Sequence, residues 1–218
     1  MLPPKHSILP ISGSDLPTLA NFLHTSKLAL TVNRLIFKYW PNDVTQLQLY
    51  TQAVEFGFSD PSVECLKVVD DESGDIVGYL ALSRKQAENE EEKPAGSGED
   101  PEPGVPDGLN PPVFKAVMGA VSGITKEFEK IDRFEVTYMC VKPRSRRHGI
   151  GSELVGKCFE KAKAANLPLV ICAEPEAHPF FTAVGFKDTK HVDIDLSPWA
   201  PPYSGFGTFR LTGMIWSP

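Results

Sequence analysis

Only four cysteines, five histidines and no long apolar run occur in this 218-residue chain, and each scarcity narrows what it can be. Cys65, Cys140, Cys158 and Cys172 form no C-x-x-C pair and all fall in stretches with strand or helix character. That spacing excludes a zinc ribbon and a disulfide framework, and leaves the thiols as reduced core residues. No metal site is expected. No apolar stretch reaches the roughly 20 residues that a spanning helix needs. The N-terminal MLPPKHSILPIS has no apolar segment of the kind a secretory signal carries. The expectation is an intracellular protein, cytoplasmic or nuclear, that keeps away from membranes.

Positive charge is also scarce, but unevenly so. The formal net charge is −6. Eight acids and one base lie between Gln86 and Asn110, a local balance of −7, so the rest of the chain carries +1. A near-neutral body offers no basic surface for nucleic acid. The stretch 86–112 is rich in proline, glycine and acid, and it buries too little apolar surface to order itself. It is expected to be a disordered acidic loop inside a single domain spanning 1–218.

What remains reads as alternating strands and helices. Ser7 to Ile11 is a candidate strand. Ser14-Asp15 offers a cap to a helix with Leu16, Leu19, Ala20 and Leu23 on one face. Leu28 to Trp40 shows helical spacing, and Phe37, Tyr39 and Trp40 there are candidates for a substrate pocket. Asp43 can cap a helix over Val44–Phe56 that Gly57 ends. Cys65–Val69 and Ile76–Leu82 read as a hairpin about Asp70–Asp75. Val113–Ile131 has an apolar helical face. Leu169–Ala173 is a continuous apolar run, as in a strand buried on both sides. His191–Leu196 and Thr208–Trp216 alternate polar and apolar residues.

The most informative stretch is Val136–Leu154, VTYMCVKPRSRRHGIGSEL. Its first six residues are β-branched, aromatic or apolar and suit a buried strand. Pro143 ends that strand. Arg144, Arg146, Arg147 and His148 follow, then Gly149-Ile150-Gly151 and a helix-period pattern of Leu154, Val155, Cys158, Phe159 and Ala162. A helix that starts on glycines presents free backbone N–H groups and a partial positive charge, which suits a phosphate or diphosphate. Four or five charge-assisted hydrogen bonds, each contributing roughly 1.5–3 kcal/mol, can hold one. An overlapping pattern, Gly151 to Cys158, nearly spells the nucleotide P-loop G-x-x-x-x-G-K-[ST]. Cys158 lacks the magnesium-binding hydroxyl, and the intervening residues have helical apolar spacing.

The run Val141-x-Pro143-x-x-Arg146-x-x-Gly149-x-Gly151 resembles the acetyl-CoA motif of the GCN5-related N-acetyltransferase (GNAT) superfamily. Gly78-Tyr79 resembles a feature of its third strand, and Ala173–Phe186 resembles a second family segment. The helix expected between the third and fourth strands resembles a subgroup of fungal GNAT proteins. The resemblance implies an α/β fold: a mixed, mostly antiparallel sheet flanked by helices, with strands four and five parallel and splayed around the cofactor. It implies an acyltransferase that moves an acetyl group from acetyl-CoA to a primary amine by direct attack in a ternary complex. It assigns the cosubstrate to Met139, Cys140, Val141, Arg146, Arg147, His148, Gly149, Ile150, Gly151 and Ser152. By the offset of a family glutamate, Glu135 is the first candidate for general base, with Glu174 and His178 weaker. Asp193 and Asp195 are further candidates to meet the amine. Phe181 stands where the family usually has a tyrosine that protonates the leaving sulfur, so the general acid is missing from its place. Two other functions compete: a non-catalytic acyl-CoA-binding module and a P-loop nucleotide-binding protein. The acceptor's identity and the oligomeric state are not legible in the sequence.

Overall fold

The computed structural model describes residues 5–88 and 104–218. Seven strands make one sheet in the order β1-β2-β3-β4-β5-β7-β6. They are β1 (His6–Pro10), β2 (Val63–Asp70), β3 (Ile76–Lys85), β4 (Arg133–Val141), β5 (Leu169–Ala173), β6 (Lys187–Asp195) and β7 (Thr208–Trp216). All neighbours run antiparallel except β4 and β5, which are parallel. The helices are α1 (Leu16–Lys27), the single turn α2 (Asn33–Ile36), α3 (Asp43–Ser59), α4 (Pro111–Thr125), α5 (Ile150–Ala165) and α6 (His178–Ala183). The mixed α/β architecture is the one expected.

The apolar spacing of α5 decides where it lies. Leu154, Val155, Cys158 and Ala162 are buried against Val136, Leu169, Ile171 and Ala173 on one face of the sheet. Fully burying a side chain such as Leu154 contributes roughly 1.5–3 kcal/mol. The start of α5 comes close to β3 at Gly78, where a Cβ would stand 2.8 Å from a Val68 methyl and 3.3 Å from one of Ile150. That crowding is the physical reason for glycine in the Gly78-Tyr79 pair. The opposite face is covered by α1 and α3, through Leu19, Leu23 and Val54, and by α4, through Val113, Ala120 and Ile124.

Two irregularities shape the middle of the sheet. The β3–β4 register shifts between Ala81, opposite Tyr138, and Leu82, opposite Val136, so Thr137 is the extra residue of a bulge. Before it Phe134 and Val136 pack with the α5 cluster; after it Met139 and Val141 do. The bulge therefore reverses which residues of β4 face α5. The second irregularity is a split. β4 and β5 pair only at Phe134–Leu169 and Glu135–Val170. Beyond that point β4 stays with β3 through Val141, and β5 stays with β7 through Ala173. Two strand edges face each other across a wedge with no ladder between them.

Several boundaries differ from those read in the sequence. Leu28–Trp40 forms one helical turn and then a bridge from Phe37 to Leu109, because its second half pairs with the chain ahead of α4. Asn42, not Asp43, caps α3, accepting from the Val44 N–H at 3.0 Å. That helix runs through Gly57 to Ser59. α4 begins on Pro111 and gives way to a 3₁₀ turn over Lys126–Phe128. Most of the acidic stretch lies outside the described residues. Its last part is packed: Leu109 is buried, Gly108 accepts from the Lys38 N–H at 2.9 Å, and the Asn110 N–H donates to Ile36 at 2.7 Å. All four cysteines are free.

Candidate active site between the splayed strands

The wedge opens into a cavity of about 580 Å³. Its walls come from β4, the turn after it, the start of α5, the residues after β5, α6 and the end of α1. Of the residues assigned to the cosubstrate, all but His148 line it, and so does the weaker base candidate Glu174.

The wall at α5 is built largely from main chain. Gly149, at φ 88°, is in the left-handed region that favours glycine, and it turns the chain into the helix. The first helical hydrogen bond runs from the Glu153 N–H to Gly149 at 3.0 Å. The amides of Ile150, Gly151 and Ser152 precede the ladder, at the positive end of the helix dipole. A Cβ on Gly151 would stand 3.3 Å from the Phe180 ring, so a side chain there would intrude where the wall is tightest.

The arginines divide. Arg146 and Arg147 line the cavity. The Arg146 Nε donates to the Val141 carbonyl at 3.1 Å, which ties the turn to the end of β4. Arg147 takes a left-handed φ of 66°, which costs a residue with a side chain roughly 1–2 kcal/mol. Arg144 is drawn away to Asp75 on the β2–β3 turn at 2.6 Å, and Lys142 joins it at 3.2 Å. This donor set fits the diphosphate of acetyl-CoA. Over Met139–Val141 β4 pairs with β3 along one edge, and its other edge, no longer laddered to β5, faces the wedge, where its main-chain groups can meet a thioester carbonyl.

The opposite wall is made of side chains. Lys27 at the end of α1 and Glu174 just after β5 meet at 2.7 Å. Burial alone pushes Lys27 down, but Glu174, with Cys140 and Tyr138, outweighs it and holds the ammonium above the ordinary lysine range. Nearby, burial pushes up the Tyr138 hydroxyl and the Cys140 thiol, although the Lys27 charge works against both. Phe181 is only 2% exposed. It packs edge-on against Phe180 and Phe186, so apolar packing fills the place where a hydroxyl was in question. Lys27 was missed in the sequence, where it is simply one cation at the end of an amphipathic helix.

The remaining candidates lie elsewhere. Glu135 is on β4 where that strand still pairs with β5, and buried Arg133 holds it at 3.5 Å. Met139 lies four positions further along, roughly 13 Å of strand. His178 pairs with Asp188 at 2.9 Å. Asp193 is clamped by Arg210 at 2.6 Å, which holds its carboxyl below the usual range. Asp195 accepts from the Ser197 N–H at 3.0 Å. Phe37 is buried, Tyr39 is exposed, and Trp40 reaches the Leu28 carbonyl at 3.4 Å. None of these residues lines the cavity. The P-loop pattern is helix throughout, with Cys158 fully buried, so it forms no phosphate loop.

Residues 113–188 match the model of the acetyltransferase (GNAT) domain. That stretch, about a third of the chain, is similar to a GNAT domain. The match makes the chain an acyltransferase, and the matched segment contains β4, the glycine turn, α5, β5 and α6. No curated protein sequence matches the chain. Arylalkylamine N-acetyltransferase 2 from Aedes aegypti is similar, with a TM-score of 0.68 at 15% identity over 98% of this chain and 99% of that one. An agmatine N-acetyltransferase gives 0.63 at 12% identity, covering 98% and 99%. A histone acetyltransferase HPA2 and related acetyltransferase from Corynebacterium glutamicum gives 0.60 at 16%, covering 98% and 96%. At such identities the likeness is one of fold, and it extends beyond the GNAT segment to nearly the whole chain. No described helix is long and apolar enough to cross a membrane.

Proposed function

We propose that this GNAT protein is an N-acetyltransferase that moves an acetyl group from acetyl-CoA to a primary amine, by direct attack while both are bound. One observation carries the reading: a main-chain anion cradle, a Lys27–Glu174 pair and the β4 stretch Met139–Val141 line the same cavity. The cradle and Arg146–Arg147 hold the diphosphate. The amides over Met139–Val141 polarise the thioester carbonyl. Amines are named as substrates of the neighbouring arylalkylamine and agmatine enzymes, and an acidic group in the cavity wall suits such an acceptor.

An ammonium with a pKa near 10.4 must lose a proton before it attacks, which costs about 4–5 kcal/mol at neutral pH. Glu174 is the base we favour over Glu135, because it lines the cavity and Glu135 does not. A second reading, a non-catalytic acyl-CoA-binding module, is favoured by Phe181, which has no proton to give. The two are separated by measuring CoA release from acetyl-CoA across a panel of primary amines, alongside calorimetry. Binding with amine-dependent release supports the enzyme. Binding with no release from any amine supports the module. Absence of binding overturns both.

A further inference from the structure

The cavity lacks a tyrosine proton donor at Phe181, and the tyrosines near the pair do not replace it. Tyr138 and Tyr50 are absent from the cavity wall, and burial pushes both hydroxyls up, away from proton release. The arginines in the wall keep their protons at any working pH. Cys140 is buried, with its thiol pushed up in turn. In the wall Lys27 and Glu174 meet as donor and acceptor of one proton, 2.7 Å apart.

Resting on the acetyl-transfer reading above, we propose that Lys27 is the general acid that protonates the departing CoA sulfur, and that proton uptake by Glu174 is what primes it. The atoms balance as follows. Glu174 takes one proton from the acceptor's ammonium. The freed amine attacks the thioester carbon, a C–N bond forms, and the C–S bond breaks with its electron pair on sulfur. Lys27 gives that sulfur a proton and becomes a neutral amine. The new amide loses its surplus N–H proton to water. The proton on Glu174 then crosses to Lys27 and restores the pair. One ammonium and one thioester become one amide, one thiol and one released proton.

The priming follows from the surroundings of Lys27. The largest influence on it is burial, which disfavours its charge; the Glu174 carboxylate, joined by Cys140 and Tyr138, overrides that at rest. Once Glu174 carries a proton the opposing charge is gone and the burial remains. Lys27 then gives up its proton readily, at the stage when a thiolate is forming. At rest it holds the proton, so the donor is not spent early.

A plain strut between α1 and the end of β5 would use the same contact, and arginine tells the two apart. Lys27→Arg keeps the charge and the hydrogen bond to Glu174 but cannot release a proton. We expect unchanged acetyl-CoA affinity by calorimetry, a retained melting temperature, and kcat lowered about 100-fold or more. Wild-type kcat in Lys27→Arg overturns the proposal. If the arginine variant does not fold, the wild-type enzyme decides: single turnovers in deuterated water should slow, and an isotope effect of unity overturns the proposal. Wild-type protein that releases no CoA with any amine refutes the acetyl-transfer reading itself, a different failure.

Discussion

The two walls of the cavity are built on different principles. The α5 wall is local: eleven consecutive residues, Val141 to Gly151, supply the strand end, the turn, the arginines and the helix start. Its function lies in main-chain amides, so its sequence needs only glycine where a side chain would intrude and proline where the strand must stop. The Lys27–Glu174 wall is assembled across 147 positions of sequence separation. Its function lies in two side chains that meet only because the sheet splits beyond Glu135 and leaves the end of β5 facing α1. The proposed binding wall is thus encoded in a motif, while the proposed proton pair is encoded in tertiary structure.

The largest expected effect breaks the first wall. Gly149→Asp or Gly151→Asp places a carboxylate and a Cβ at the anion cradle. Losing two charge-assisted hydrogen bonds at roughly 2 kcal/mol each lowers acetyl-CoA affinity about 1,000-fold by calorimetry. Gly149→Asp also strains a left-handed residue by roughly 1–2 kcal/mol, so its melting temperature should fall further than that of Gly151→Asp. Unchanged affinity in both would remove the cradle from the account.

Next comes the second wall. Glu174→Gln should lower kcat about 100-fold while acetyl-CoA affinity stays within a few-fold, and Glu135→Gln should leave the pH–rate profile nearly unchanged. The opposite pattern would return the base to Glu135.

This contrast also marks what was legible in the sequence. The strand–turn–helix order follows from local rules: apolar period, proline punctuation and glycine at a helix start; the parallel β4–β5 pair and the residues assigned to the cosubstrate rest on the GNAT resemblance. Glu135 is a candidate only by resemblance, from the offset of a family glutamate ahead of Arg146. The bulge at Thr137 and the loss of β4–β5 pairing after Glu135 decide which strand residues meet the cavity; the GNAT resemblance implies a splay, but the residues alone do not say where either irregularity falls. Lys27 and Leu28–Trp40 show the same limit. Each depends on a distant partner, Glu174 in one case and Leu109 in the other.

A third, smaller effect separates the walls by pH. The folded-state pKa of Lys27 is raised, so its contribution to stability is complete below the ordinary lysine value of about 10.4 and is lost as pH climbs through the higher folded value. Thermal melts of wild type and Lys27→Met should differ at neutral pH and converge in strong alkali. A gap that widens with pH would contradict the buried pair. The smallest effect concerns Arg144, which is exposed and committed to Asp75. Arg144→Ala should change acetyl-CoA affinity less than threefold, whereas Arg147→Ala should weaken it about tenfold.

The central claim is that main-chain donors opening α5 grip the diphosphate of coenzyme A. A crystal structure of the protein with acetyl-CoA tests it directly. The diphosphate oxygens should lie within about 3.2 Å of the Ile150, Gly151 and Ser152 nitrogens, with the thioester in the wedge beside Met139–Val141. A diphosphate bound away from those three amides would contradict the account.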